Sequence, residues 1–268
     1  MPKLSSLIVG FEVFVSLEGR SGSRKFKSLP VNSKVKEAYH NWYSPTLQEE
    51  AELLVFGYAG RPVLLFATSM GRYYEAKDRG LIHSVEWFID NGDITVYCPG
   101  NIDHKAWYNK SLHPADRARQ QQRYDQFILE EVYSRVTAET GRQQMITAGC
   151  SFGGYHAANF GFRHPDITEA VISMSGIFDI SSHTDGFECD EIYFNNPMAF
   201  LRDDNRPELW QQRVILGTTW TDICLEQNQR MAGILEQKKM LHWLDIRGDQ
   251  PHDWPVWKQM FPHYISTL

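Results

Sequence analysis

Positive charge is in short supply: 27 Lys and Arg stand against 33 Asp and Glu, a net charge of −6. No basic run occurs, which argues against nucleic acid and anionic membrane as main partners, since both are bound by clustered cations. Cysteine is scarce as well. Cys98, Cys150, Cys189 and Cys224 contain no C-x-x-C pair, so neither a zinc ribbon nor a thioredoxin motif is present and no metal is expected. A disulfide framework is not expected either, because a chain of 268 residues can bury a core of its own. No segment approaches the ~20 apolar residues of a membrane span. The longest apolar stretch near the start, Leu7–Val15, is interrupted by Glu12 and lacks a basic leader and a small-residue cleavage site, so it reads as a strand. These absences lead to the expectation of a cytoplasmic protein with no membrane contact. A homo-oligomer stays compatible with the sequence.

What is present is ordinary globular composition, 42% hydrophobic and 22% charged, which excludes a disordered chain. Up to about Phe56 the pattern is short strands and polar turns. Beyond it, continuous apolar runs at Pro62–Ala67, Asp93–Cys98, Met145–Ala148, Ala170–Met174, Val214–Leu216 and His242–Ile246 read as strands buried on both faces. Helical stretches over Pro114–Val136, Gly154–Arg163, Leu225–Lys238 and Asp253–Ile265 alternate with them. Strands alternating with helices predict an α/β fold, a mostly parallel central sheet with helices on both faces. With no repeat, low-complexity tract or linker, the division expected is an N-terminal β extension over residues 1–38, packed on a main domain over 39–268.

The residues richest in chemistry are Gly149-Cys150-Ser151-Phe152-Gly153-Gly154. They follow a predicted strand and open a predicted helix, the setting that G-x-S-x-G requires for an exposed nucleophile. Small residues two positions either side let strand and helix approach, and the helix N-terminus favours negative charge near Ser151. The Phe152 N–H would face an oxyanion. Cys150 lies one position before the apex, with its side chain turned into the fold. For the base, His252 lies on the loop after the last predicted strand, whereas His156 follows Ser151 too closely on its helix to face back. Asp222, on the loop after Val214–Leu216, is the candidate acid, with Asp179 on the preceding strand's loop as its competitor. Capping of the helix near Leu225 is an alternative role for Asp222. The loop after Pro62–Ala67, Thr68-Ser69-Met70-Gly71, is where a second oxyanion donor would lie, with Met70 the candidate.

In order of elements, the elbow, the Asp222 loop and His252-Asp253-Trp254 with Trp257, the chain from about Tyr39 to Ile265 resembles one esterase family of the α/β-hydrolases. Its members include esterase D (S-formylglutathione hydrolase), feruloyl and enterochelin esterases and the antigen 85 mycolyltransferases. The resemblance implies an α/β-hydrolase fold, a triad of Ser151, Asp222 and His252, and a small-molecule ester as substrate, with no cofactor. It departs from many members at the oxyanion loop, which carries His-Gly in them and reads Thr68-Ser69-Met70-Gly71 here. Hydrolysis of short-acyl or small aryl esters is the expected reaction. Acyl transfer through the same triad and an inactive hydrolase fold that only binds are the alternatives. The aromatics Phe178, Phe187, Tyr193, Phe194, Phe200 and Trp210, and the pair Trp107-Tyr108, are candidates for a substrate wall or for plain core.

Overall fold

Eight strands form one sheet in the order β1-β2-β4-β3-β5-β6-β7-β8 in the computed structural model, which describes residues 37–268. The strand read at Leu7–Val15, and all but the last two residues of the extension read over 1–38, lie outside the described residues. Glu37 and Ala38 already belong to β1 (Glu37–Ser44), which pairs antiparallel with β2 (Glu49–Phe56). β2 is also antiparallel to β4 (Ile94–Pro99). From there across β3 (Arg61–Phe66), β5 (Met145–Cys150), β6 (Thr168–Met174), β7 (Arg213–Thr219) and β8 (His242–Arg247) every pairing is parallel. Each of the six apolar runs read from the sequence is one of these strands.

Their side chains alternate between two faces, and both faces are covered. Val63 and Leu65 point to a core with Ile82, Ile89, Trp257 and Phe261. This core is closed by three short helices, α1 (Glu75–Asp78), α2 (Leu81–Ser84) and α3 (Glu86–Asp90), and by α10 (Trp254–Thr267). Leu64 and Phe66 point the other way, to Tyr124, Phe127 and Phe160 of α4 (Pro114–Phe127) and α6 (Phe152–Arg163). Further along that face Val171, Val214 and Leu216 pack on Phe162, Met231 and Leu235, beneath α8 (Pro197–Asp203) and α9 (Leu225–Gln237). A one-turn helix, α7 (Asp190–Tyr193), precedes α8.

The helix expected over Pro114–Val136 is interrupted. After α4 the backbone widens into a π-helical segment, Ile128–Tyr133, before α5 (Ser134–Thr140) resumes. That segment carries Glu131, whose carboxylate accepts hydrogen bonds from Trp42 Nε1 and Ser44 Oγ at 2.6 Å and from the Thr46 N–H at 3.1 Å. One half-buried acceptor thus ties the β1–β2 hairpin to the helical layer. The parallel strands all point their C-terminal ends to one edge of the sheet, and the loops that leave that edge carry the candidate site.

Candidate active site

Ser151 sits between β5 and α6 with φ 56° and ψ −123°, a conformation that L residues adopt only under constraint. Its neighbours explain how the constraint is met. A Cβ on Gly149 would lie 2.2 Å from the Gly153 carbonyl, and one on Gly153 would lie 2.4 Å from the Phe66 oxygen. Only hydrogen fits at either position, so the strand end, the helix start and β3 close up around the serine. The Ser151 N–H is fixed by the Met174 carbonyl at 2.8 Å. Cys150 is fully buried, and burial pushes its thiol well above the ordinary range, as its inward position on the sequence suggested.

His252 reaches this serine from the loop between β8 and α10. Its Nε2 is 2.9 Å from Ser151 Oγ, and its Nδ1 is 2.9 Å from Asp222 Oδ1. A carboxylate can only accept, so Nδ1 carries the proton and Nε2 presents its lone pair to the serine hydroxyl. Asp222, with a fully buried carboxylate, follows β7. Burial raises its pKa, but hydrogen bonds from His252, from Ser175 Oγ and from the Cys224 N–H outweigh burial and hold it below the usual carboxylate range. The Cys224 contact, at 2.7 Å, braces the turn that leads into α9. The capping role read for Asp222 is not filled, since the N-cap of α9 is Cys224 and no side chain caps it. Asp179 is elsewhere: it accepts from Ser181 and Asn196 and lies near Arg230.

Two residues support the site: Ser175, which has no signal in the sequence, and Trp257, which the sequence marks only through the resemblance. Ser175, at φ 53° just beyond β6, donates to Asp222 Oδ2 and accepts from Trp257 Nε1 at 2.9 Å. The Trp257 ring also meets the His252 ring edge to face at 5.1 Å. A chain of side chains therefore clamps both the acid and the imidazole. The aromatics proposed as a substrate wall are dispersed. Phe178 is core, Tyr193, Phe194 and Phe200 line a separate cavity of about 480 Å³ with Arg163 and Arg206, and Trp210 donates to the Lys238 carbonyl. Trp107 is buried against the Tyr155 hydroxyl, and Tyr108 packs on Phe152 at 5.1 Å.

Around the serine, the Phe152 N–H opens α6 and engages no acceptor among the described residues. The expectation for Met70 needs correction. Its N–H is not free: it donates to Asp103 Oδ2 at 2.9 Å, so in this structure Met70 offers nothing to an oxyanion. Metal-ligand types do converge here, since ligand atoms of Asp222, Cys224 and His252 lie within 4.8 Å of one another. Asp222 and His252 are already bonded to each other, and burial pushes the Cys224 thiol up to about 12, away from the thiolate a metal requires.

This architecture is an α/β-hydrolase fold with a serine at the nucleophile turn. Residues 67–263 match the model of the family described as "Putative esterase"; the chain belongs to that family and is a carboxylesterase-type serine hydrolase. Among solved structures, it is similar to a ferulic acid esterase, with a TM-score of 0.70 and 16% identity over 87% of this chain and 98% of that one. An S-formylglutathione hydrolase (FrmB) of Staphylococcus aureus gives 0.67 and 15%, over 88% and 99%. MPT51 (FbpC1) of Mycobacterium tuberculosis gives 0.65 and 14%, over 86% and 97%. No protein with curated annotation matches the chain in sequence. No helix among the described residues is long and apolar enough to cross a membrane.

Proposed function

We propose that the protein hydrolyses small carboxylic esters, of short acyl or small aryl acids, through a Ser151–His252–Asp222 triad. The observation that carries this reading is the unbroken line of two 2.9 Å contacts from Asp222 through His252 to Ser151. Ser151 Oγ attacks the acyl carbon while His252 Nε2 takes its proton, and the ester C–O bond breaks as His252 returns the proton to the leaving alkoxide. Water, deprotonated by the same imidazole, then releases the acid. Asp222 keeps the imidazole in the tautomer whose Nε2 is basic and stabilises the imidazolium between steps. The Phe152 N–H, at the positive end of α6, receives the tetrahedral oxyanion.

All of this chemistry is supplied by side chains and backbone, and the mechanism uses no cofactor. The substrate range rests on the absence of a long aliphatic segment that could cover a greasy chain. Free thiols at Cys98, Cys150, Cys189 and Cys224 fit work in the reducing cytoplasm. p-Nitrophenyl esters of rising acyl length test the reading. kcat/KM is expected to be highest for acetate to butyrate and to fall for longer chains, with a burst of p-nitrophenol where deacylation limits. A maximum at long chains, with activation at an oil interface, would contradict it. Added alcohols should not divert more than a minor share of acyl groups; a dominant ester product would mark a transferase instead.

A further inference from the structure

The loop after β3 is a β-turn of unusual composition. The Gly71 N–H donates to the Thr68 carbonyl at 2.9 Å, which places Ser69 and Met70 at the two central positions. Met70 has φ 58° and Ser69 does not have positive φ, so this is a type II turn with methionine where glycine or asparagine is favoured. The turn is pinned at its first two residues: Thr68 donates its N–H and hydroxyl to Glu75 at 3.0 and 2.9 Å, and Tyr108 donates to Ser69 Oγ at 2.7 Å. What compensates the left-handed methionine is the bond from its own N–H to Asp103 Oδ2. Asp103 is fully buried, and its other oxygen holds His156 Nε2 at 2.9 Å, on the helix that begins at the nucleophile.

Types I and II differ by a half-turn of the central peptide plane, with the flanking Thr68–Gly71 bond kept. Turning the Ser69–Met70 peptide over would bring Met70 back to negative φ, relieve it, and swing its N–H away from Asp103. We propose that Asp103 is a positioning residue that latches this turn in a form with the donor hidden. Catalysis then requires the peptide to turn over and deliver the Met70 N–H to the oxyanion. The proposal rests on the triad reading, since it concerns the same tetrahedral intermediate. A carboxylate already holding the N–H cannot share it with a second negative oxygen without repulsion, so the two acceptors compete for one donor.

Competition makes opposite predictions for two substitutions at a half-exposed side chain. Met70→Gly makes the left-handed form cheap and stabilises the latch, so kcat should fall about fivefold. Met70→Val makes that form costlier, and kcat should rise by a similar factor. Asp103→Ala, which removes the latch, should move in the same direction as Met70→Val. The probe is phenylboronic acid, which bonds to Ser151 Oγ as a tetrahedral boronate. Its Ki should weaken in Met70→Gly and tighten in the other two, while KM for p-nitrophenyl acetate stays within twofold. If Asp103→Ala and Met70→Val instead lose kcat and boronate affinity, or if the Met70 pair leaves both unchanged, Asp103 is not a latch and the inference fails. Should Asp103→Ala not fold, the Met70 pair decides alone. Failure of the triad reading looks different: wild type would then be insensitive to the boronate altogether.

Discussion

Two aspartate–histidine pairs flank Ser151 in the sheet order, and they are wired in opposite senses. In the pair that follows β7 and β8, Asp222 takes Nδ1 and leaves Nε2 of His252 to the serine. In the pair formed by the β4 loop and α6, Asp103 takes Nε2 of His156, and Nδ1 faces the Gln121 amide 3.5 Å away. His252 keeps 17% of its side chain exposed, whereas the His156 and Asp103 side chains show 1% and 0%. On the proposed triad, the same two side chains thus make a reactive pair where one nitrogen meets the serine at the surface. They make a structural one where both nitrogens are spent in the interior, among the rings of Phe66, Tyr124 and Phe152. Chemistry follows from which nitrogen is left over, not from the presence of the pair.

The contrast can be broken from either side. Ser151→Ala and His252→Ala should each lower kcat by ~10⁴ or more with little change in Tm, because neither is needed to fill the core. Asp222→Asn should cost up to ~10⁴ in kcat by favouring the wrong tautomer, while Asp179→Asn keeps near-normal turnover. Reversal of those two outcomes would move the acid to the loop after β6. His156→Ala should behave oppositely to His252→Ala. It empties a buried site and strands Asp103, so urea denaturation should show a loss of about 2–4 kcal/mol. Ser175→Ala removes one of the three hydrogen bonds to Asp222, and a kcat loss of about tenfold is expected in stopped-assay kinetics, with KM held.

Asp222 also fixes a sign for pH. Its carboxyl is held below its ordinary value in the folded state, so its contribution to stability is complete at neutral pH. That contribution disappears as pH falls through the folded value, below the reference of 3.8. A loss of activity at mildly acid pH would therefore not come from protonation of Asp222. Stability of wild type minus that of Asp222→Asn, measured by urea melts between pH 7 and 2, should shrink only at the acid end. A difference that shrinks between pH 7 and 5 would contradict the assignment.

What the sequence made legible was local grammar. Ser151 stands in a strand–turn–helix context that six residues define, and His252 and Asp222 each stand on a loop just past an apolar run. The central strands were readable because burial on both faces makes them apolar throughout. The short helices α1–α3 were not, since each is only four or five residues long and leaves no periodic stripe. The direction of the Met70 N–H was also hidden. It is a property of one peptide plane, set by a carboxylate 33 residues away, and residue identities alone do not encode it. Ser175 went unseen for the same reason: its partners Asp222 and Trp257 are 47 and 82 residues distant.

The central claim is that one serine, activated by one of the two histidine pairs, carries the chemistry. Labelling with a fluorophosphonate, followed by intact-mass analysis and peptide mapping, tests it most directly. The account predicts a single adduct per chain, on the peptide holding Ser151, that is absent in Ser151→Ala, nearly absent in His252→Ala and retained in a folded His156 variant. No adduct on wild type, or an adduct on another residue that survives Ser151→Ala, would contradict it.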